Sequence, residues 1–301
     1  MKKKIIFGFL FFLLTCASFA QVFPNAKYEV VNNKKLAYYE QGNGKETIIL
    51  LHGWPQTSYV WRKVLPSLSN NYKVIAVDLP GLGNSETITD YSTENVSDIL
   101  HQFFVQKNIQ KVHLVGHDLG TWVALTYAIK YENSLSTLTL VDAGIPGLMN
   151  PNVFQPENAN KIWQFYFHGI SDLPELLVKG KEKEYFNWYF STKSTIKEAI
   201  SKSDEKVYLK AYMPKEKMKA GFDYYRAYQE NATYNSSTIS TISIPILAIG
   251  GDKALAENVG KAVQPYAKSI EIISLPNSGH YVPEEQPKLF VDTLLQFLHQ
   301  K

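Results

Sequence analysis

Residues 113–120 read His113-Leu114-Val115-Gly116-His117-Asp118-Leu119-Gly120 and run from an apolar strand into a tight turn. Residues 121–128, which follow, have the apolar periodicity of a helix. Glycines stand two residues before and two residues after Asp118, which is the spacing of a nucleophile elbow. A Cβ atom at either glycine would crowd the adjoining strand or helix. The motif therefore predicts that Asp118 projects above a sheet with its carboxylate exposed.

Short apolar runs alternate with helical patterns on both sides of this motif. Strands are predicted at residues 46–51, 72–77, 112–116, 137–141, 245–249 and 270–275. Several of these runs are apolar almost throughout, as parallel strands covered on both faces are. Helical periodicity marks residues 92–107, 120–130 and 287–300. The alternation predicts an α/β fold with a mostly parallel, doubly wound sheet.

Residues 146–240 depart from this alternation, because no convincing buried strand can be read in them. They contain charged and aromatic helical patterns at residues 159–167, 173–193, 195–210 and 214–230. We interpret residues 146–240 as a helical cap inserted into the sheet domain. The core is then formed by residues 21–145 and 241–301. Most of the aromatic side chains of the cap are expected to pack it internally rather than to face a ligand.

The first 20 residues have the pattern of a cleavable signal peptide. Three lysines follow Met1, and residues 5–14 form an apolar run too short to span a bilayer comfortably. Ser18 and Ala20 are small residues at positions −3 and −1 of a cut before Gln21. We therefore expect a periplasmic or secreted protein with no stable membrane anchor. Cys16, the only cysteine of the chain, leaves with this segment, so the core must fold without a disulfide.

The charge of the mature chain argues against a nucleic-acid partner. Removal of residues 1–20 lowers the number of Lys and Arg from 31 to 28, against 28 Asp and Glu. The formal charge then becomes zero, and no basic face points to nucleic acid. The sequence contains no cofactor or metal motif. The expected partners are a small-molecule substrate and water.

Loops at the carboxyl ends of parallel strands meet at one edge of the sheet. The loop after the strand at 46–51 begins His52-Gly53-Trp54-Pro55, and the backbone N–H of Trp54 can point at a developing oxyanion there. The N–H of Leu119, directly after the elbow apex, would be its partner. Residues 78–85 form a turn rich in glycine, which is interpreted as loop architecture. His117, beside the apex, is expected to contact the wall of the pocket.

His280 follows a glycine in the loop after the final predicted strand. An aspartate near its reference pKa of ~4 is ionised at neutral pH, so Asp118 needs no base before it attacks a saturated carbon. The product of that attack is an alkyl ester, and His280 would activate the water that cleaves it. A carboxylate must orient the imidazole. Asp142 and Asp252 both follow strands at this edge, and spacing alone does not decide between them.

These motifs resemble those of the α/β-hydrolase superfamily, in its aspartate-nucleophile branch of epoxide hydrolases and haloacetate dehalogenases. The likeness covers essentially the whole mature chain and is carried by residues 52–55, residues 116–120 and Gly279-His280. It implies an α/β-hydrolase fold with an inserted helical cap. In these families the acid lies after the strand that follows the elbow helix. The resemblance therefore favours Asp142 over Asp252.

Two cap segments extend the resemblance to epoxide hydrolases. Residues 222–226, Phe-Asp-Tyr-Tyr-Arg, resemble the segment in which the tyrosine before the arginine polarises the epoxide oxygen, which implies that role for Tyr225. Residues 162–167 resemble the segment that supplies a second ring-opening donor, usually a tyrosine or a histidine. The matching positions here are Trp163 and Gln164, which we expect to bind substrate and either of which has an N–H to donate.

The resemblance leaves three functions to consider. Epoxide opening through an ester on Asp118 is the first, and dehalogenation of a haloacid or haloalkane by the same nucleophile is the second. Haloacetate dehalogenases hold the substrate carboxylate with arginines shortly after the nucleophile, whereas residues 119–122 contain none. Haloalkane dehalogenases commonly place a tryptophan directly after the nucleophile, where this chain has Leu119. The third function is a non-catalytic α/β-hydrolase homologue that binds a small molecule.

Overall fold

Residues 23–300 are described by the computed structural model, so the signal peptide predicted at 1–20 lies outside the described residues. Within this range eight strands form one sheet. They are β1 (Lys27–Val31), β2 (Lys34–Gln41), β3 (Thr47–Leu51), β4 (Lys73–Val77), β5 (Val112–His117), β6 (Leu135–Val141), β7 (Ile246–Gly251) and β8 (Ile270–Leu275). The six predicted strands are therefore present, and their ends differ from the predicted ends by at most two residues.

The sheet order is β1-β2-β4-β3-β5-β6-β7-β8. Strands β3 to β8 are parallel to their neighbours, whereas β1 and β2 form an antiparallel hairpin at one edge. This hairpin was not predicted, because β1 is mostly exposed and contains no buried apolar run. Its turn is made by Asn32 and Asn33, both at positive φ, as tight hairpin turns require.

Twelve α-helices lie within the described residues. Those that belong to the core are α1 (Leu65–Leu68), α2 (Thr93–Gln106), α3 (Leu119–Tyr131), α10 (Asn258–Val263), α11 (Val282–Glu285) and α12 (Pro287–His299). Apolar side chains of α2, α3 and α10 pack on one face of the sheet, and those of α1 and α12 pack on the other. Both faces of the parallel strands are thereby buried, which confirms the doubly wound α/β architecture.

The remaining helices form the cap between β6 and β7. They are α4 (Ala159–Gly169), α5 (Leu173–Val178), α6 (Glu182–Lys193), α7 (Lys202–Tyr212), α8 (Lys215–Arg226) and α9 (Tyr228–Thr238). The helix predicted over residues 173–193 is divided between α5 and α6, and Gly180 at φ 79° lies in the break. The helix predicted from residue 195 begins only at Lys202, because the Ser201 side chain caps it together with Asp204.

Aromatic packing attaches the cap to the core. The Trp54 ring, which is 1% exposed, lies in contact distance of Tyr189 on α6 and of Phe222 and Tyr225 on α8, with ring centroids 5.1, 5.8 and 6.2 Å away. Aromatic pairs at these spacings add to the stabilisation by area burial. The loop that carries the Trp54 N–H is therefore held from above by the cap. Between residues 23 and 300 no helix is long and apolar enough to cross a membrane.

Candidate active site

Asp118 occupies the turn between β5 and α3 with φ 51° and ψ −118°. A residue other than glycine adopts such positive φ only where its surroundings hold it there. The Asp118 N–H donates to the Val141 carbonyl at 3.2 Å, which ties the turn to β6. A Cβ on Gly116 would overlap the carbonyl of Gly120, and one on Gly120 would overlap the carbonyl of Leu51. The predicted elbow and the reason for its glycines are both present.

The two carboxylate oxygens of Asp118 face different partners. Oδ1 accepts a hydrogen bond from the Trp54 N–H at 2.9 Å. Oδ2 lies 3.3 Å from His280 Nε2. A side chain on Gly53 would overlap the Asp118 carboxylate, so this glycine allows the Trp54 loop to approach. Leu119, the other predicted oxyanion donor, is the first residue of α3, and its N–H makes no hydrogen bond to Asp118 in the described chain.

Asp142 is the acid that the fold brings to His280. Its Oδ2 accepts from His280 Nδ1 at 2.8 Å, and its side chain is fully buried. Its Oδ1 accepts from the backbone N–H groups of Gly251 and Leu255 at 3.0 and 3.2 Å. Asp252, the alternative, accepts instead from the Ser278 N–H at 3.1 Å and pairs with the ammonium of Lys253. The geometry therefore selects Asp142.

The charges of this cluster change the pKa of its members. Burial disfavours the imidazolium form of His280, but the carboxylates of Asp118 and Asp142 outweigh burial and raise its pKa to about 9. Burial likewise disfavours the Asp118 carboxylate, yet the adjacent His280 holds the pKa of Asp118 well below its usual value. Asp118 and His280 thus rest as an ion pair near neutral pH. His280 Nε2 has no hydrogen-bond partner among the described residues, although Asp118 lies beside it.

The ion pair predicts how stability depends on pH. The folded-state pKa of His280 lies above its ordinary 6.5, so its contribution is complete below pH 6.5 and is lost as the pH rises through about 9. We expect the thermal midpoint of the wild-type protein to fall between pH 6.5 and about 9.5, and that of the His280→Gln variant to fall less. Calorimetric melting of both proteins across this range tests it. Parallel curves would contradict the assignment.

His117, which was expected to contact the wall of the pocket, packs against His280 and is not itself among the residues that line the cavity. Its ring is fully buried, and Nε2 contacts the backbone carbonyl of His280 at 2.9 Å. Burial, followed by the nearby His280, lowers the pKa of His117 to about 4, so this ring is neutral and Nε2 donates to the carbonyl. His117 therefore supports the loop of His280.

A cavity of about 640 Å³ lies between the sheet edge and the cap. Its walls include Asp118 and His280 from the core and Trp163, Gln164 and Tyr225 from the cap. The predicted substrate contacts Trp163 and Gln164 are therefore placed in the pocket. Gln164 is 5% exposed, and its side-chain oxygen has no hydrogen-bond partner in the described part of the chain. Such a volume is typical of small-molecule sites.

Tyr225 is presented to the cavity by a helix that its neighbour anchors. Arg226 makes two hydrogen bonds of 2.8 Å to the carboxylate of Glu175 on α5 and a further one of 2.7 Å to Asp223. Burial raises the pKa of Tyr225 well above its ordinary value, so the phenol remains protonated. The side chain of Tyr189 on α6 interacts with that of Tyr225 and lies near Asp118 as well.

Two residues of this site have no signal in the sequence analysis. Glu285 of α11 accepts hydrogen bonds from backbone N–H groups on both sides of His280, from Gly279 and Tyr281, each at 3.0 Å. Lys193, the last residue of α6, lines the cavity, and its carbonyl accepts from the His280 N–H at 3.1 Å. Neither residue belongs to a recognisable motif. Their contacts form only when the cap meets the loop after β8.

A carboxylate at a strand–turn–helix elbow, with an imidazole and a second carboxylate at the same sheet edge, defines a capped hydrolase of the α/β type. The chain belongs to the α/β-hydrolase family: residues 46–287 match the sequence model described as alpha/beta hydrolase fold. The fold expected from the sequence and the hydrolase class are thereby confirmed.

Particular relatives cover nearly the whole chain. A soluble epoxide hydrolase of Corynebacterium sp. (strain C12) is 30% identical over 276 residues, which are 89% of this chain and 95% of that protein. The crystal structure of wild-type Cfl2 from Burkholderia cenocepacia is similar with a TM-score of 0.87 and 34% identity, over 90% of this chain and 95% of that one. The Cif epoxide hydrolase from Acinetobacter nosocomialis is similar with a TM-score of 0.85 and 26% identity, over 91% of this chain and 88% of that one.

Proposed function

We propose that the protein hydrolyses epoxides through a covalent alkyl ester on Asp118. The observation that carries this proposal is the position of the Asp118 carboxylate, which shares one cavity with the protonated phenol of Tyr225 and with His280. A nucleophile and an acid that face the same space suit the opening of a strained ring. Two of the relatives described above are named epoxide hydrolases, which supports the same chemistry.

In the first step a carboxylate oxygen of Asp118 attacks an epoxide carbon, and the bond from that carbon to the ring oxygen breaks. Oδ2 is the suitable nucleophile, because Oδ1 accepts the hydrogen bond of the Trp54 N–H. The ring oxygen takes the proton of Tyr225 as the bond breaks, which leaves a hydroxyl on the substrate and a tyrosinate on the enzyme. The developing tyrosinate lies beside Tyr189, whose hydroxyl can donate to it.

In the second step water attacks the carbonyl carbon of the ester. Esterification removes the charge of Asp118, and with it one of the two carboxylates that raise the pKa of His280, so the resting imidazolium releases its Nε2 proton to solvent. The freed Nε2, held through Nδ1 by Asp142, takes one proton from the water. The Trp54 N–H stabilises the tetrahedral oxyanion. The ester then breaks, the leaving alkoxide takes the proton of His280, and the proton of the regenerated Asp118 carboxyl returns to Tyr225. His280 then takes up a proton from solvent, which restores the resting ion pair.

The cap residue Gln164 supports a second contact to the ring oxygen. It lines the cavity on α4, and its buried side-chain oxygen has no hydrogen-bond partner among the described residues. The amide N–H₂ is a donor of the kind that the opening ring oxygen requires. Trp163 in the same wall packs edge-on against Tyr189 with centroids 5.9 Å apart, and we assign it to packing.

A single turnover in heavy-oxygen water tests the ester directly. Because water attacks the carbonyl carbon of Asp118, we expect one heavy oxygen in the peptide that contains Asp118 after one turnover. The first diol should carry only light oxygen, since both of its oxygens come from the epoxide and from the unlabelled carboxylate. Mass spectrometry of the peptide and of the diol measures both.

Label in the diol with an unlabelled peptide would show direct attack of water on the epoxide and would refute the ester. Absence of any turnover over a panel of epoxides, with halide release from haloacids, would assign the same nucleophile to dehalogenation. The Asp118→Ala variant is the control, since it removes the attacking carboxylate and should show neither label nor turnover.

A further inference from the structure

Lys193 places an ammonium group in the wall of the active-site cavity. The side chain lines the same cavity as Asp118 and His280, and it is partly buried there. Its Nζ lies 4.9 Å from the ring centroid of Tyr189, which is 1% exposed. An ammonium at this distance from an aromatic face is held by the ring. The charge therefore stays near the reacting groups.

The backbone of Lys193 is fixed to the loop of the catalytic histidine. Its carbonyl accepts from the His280 N–H at 3.1 Å. The next residues are fixed as well, because the Glu285 carboxylate accepts from the N–H groups of Thr195 and Ile196 at 2.7 and 2.9 Å. The backbone that carries the Lys193 side chain is thus fixed relative to the His280 loop by hydrogen bonds.

The charge of Lys193 has no ionic partner in the described part of the chain. No carboxylate lies within salt-bridge distance of its Nζ, although Asp118 and Asp142 act on it from further away. Burial lowers its pKa below the usual value, as expected of an ammonium that has lost water without gaining a counter-ion. Removing a charge from water without a partner costs free energy. A bound anion would offset that cost.

The other charged side chains of the cavity wall, outside the catalytic cluster, are also cations. Outside the cluster of Asp118, Asp142 and His280, its charged lining residues are Lys161, Lys193 and Lys253. Lys253 is paired with Asp252 at 3.0 Å, and Lys161 is exposed at the rim. No acidic side chain besides Asp118 and Asp142 is among the described residues that line the cavity. The charged side chains that line the cavity away from this cluster are therefore all cationic.

We propose that Lys193 binds an acidic group of the substrate, so that the substrate class is epoxides that carry a carboxylate. This rests on the proposed function for the reacting end and adds a recognition site for the other end. The ammonium donates to the carboxylate, while the epoxide faces Asp118 and Tyr225. Lys193 acts in binding and not in bond breaking. Its loss should raise KM more than it lowers kcat.

The test uses a series of terminal epoxides that carry, at the other end, either a carboxylate or the matched carboxamide. We expect the wild-type enzyme to prefer the acid. The Lys193→Met variant should lose about 30-fold in kcat/KM for the acid and less than about 3-fold for the amide, since a charge-assisted hydrogen bond has this value. Lys193→Arg should keep most of the preference. Lys197→Met, an exposed lysine on the following turn, is the matched control and should behave as wild type.

A second measurement separates this site from the epoxide chemistry. Calorimetric binding of a saturated carboxylic acid, which has no epoxide, should be detected for the wild type and lost in Lys193→Met. If the wild type binds the saturated acid, Lys193→Met does not, and no epoxide is turned over, the anion site is supported and the proposed function is refuted. Turnover of acid and amide at equal rates, or an equal loss for both in Lys193→Met, would overturn the anion site and leave the epoxide chemistry standing.

Discussion

Replacement of His280 by glutamine is expected to trap the protein as an ester on Asp118 and to lower turnover about 10³-fold. The first step needs only the ionised Asp118 and the protonated Tyr225, so it should proceed in the variant. The second step needs a base at Nε2, and the glutamine amide cannot supply one. Asp118 also loses its cationic neighbour at 3.3 Å, which should make its carboxylate more reactive and not less.

Intact-protein mass spectrometry after mixing with excess epoxide measures the trapped state. The His280→Gln protein should gain the mass of one epoxide, and the added mass should lie on the peptide that contains Asp118. The double variant with Asp118→Ala should gain nothing. His299→Gln, at an exposed position of α12, is the matched control and should turn over at the wild-type rate. Steady turnover by His280→Gln with no added mass would exclude the ester mechanism.

Much of this site could be predicted because its residues are defined locally. The elbow depends on the spacing of Gly116, Asp118 and Gly120, and each glycine meets a backbone carbonyl where a side chain would not fit. His280 and the Trp54 N–H also follow strands of a parallel sheet, whose carboxyl ends share an edge. The spacing alone did not decide between Asp142 and Asp252, because both follow neighbouring strands; the resemblance favoured Asp142, and its carboxylate is the one that lies against the imidazole.

The errors and omissions concern contacts between distant segments. His117 adjoins Asp118 in the sequence, but its hydrogen bond to the backbone of the His280 loop could not be read from that position. The division of residues 173–193 into two helices depends on Gly180, which a periodic pattern does not reveal. Lys193 and Glu285 resemble solvated surface charges in the sequence. Their burial becomes visible only when α6 meets the loop after β8.

Glu285 acts on His280 through the backbone on both sides of it. Oε1 accepts from the Tyr281 N–H, and Oε2 accepts from the N–H groups of Gly279, Thr195 and Ile196. Gly279 and Tyr281 belong to the histidine loop, whereas Thr195 and Ile196 belong to the cap segment after Lys193. One carboxylate, 5% exposed, therefore joins the cap to the catalytic base. Four charge-assisted hydrogen bonds to one carboxylate hold the histidine loop and the cap segment firmly in place.

The Glu285→Leu variant should lose about 3 kcal/mol or more in the free energy of unfolding, because it leaves buried backbone donors without an acceptor. It should also lose activity beyond this destabilisation, since the imidazole is no longer held against Asp142 and Asp118. We expect kcat of the folded fraction to fall about 100-fold, as misplacement of a catalytic group by about 1 Å commonly does. Denaturant unfolding and kcat at a temperature well below the melting transition measure the two effects separately.

Glu284→Gln is the matched control for this experiment. Glu284 is the neighbouring residue and is buried as well. Its carboxylate binds Arg62 at 2.6 Å, Lys63 at 3.2 Å and the Tyr208 hydroxyl at 2.6 Å. These contacts do not involve the histidine loop. Loss of this network should destabilise the junction of cap and core, since it weakens the pairing of the partly buried Arg62 and leaves the buried Tyr208 hydroxyl with a poorer acceptor. The kcat of its folded fraction should change less than about 3-fold, because His280 keeps its supports. If both variants lose stability and kcat in the same proportion, Glu285 is a structural residue only. A fall in kcat that is confined to Glu285→Leu identifies Glu285 as the residue that positions the catalytic base.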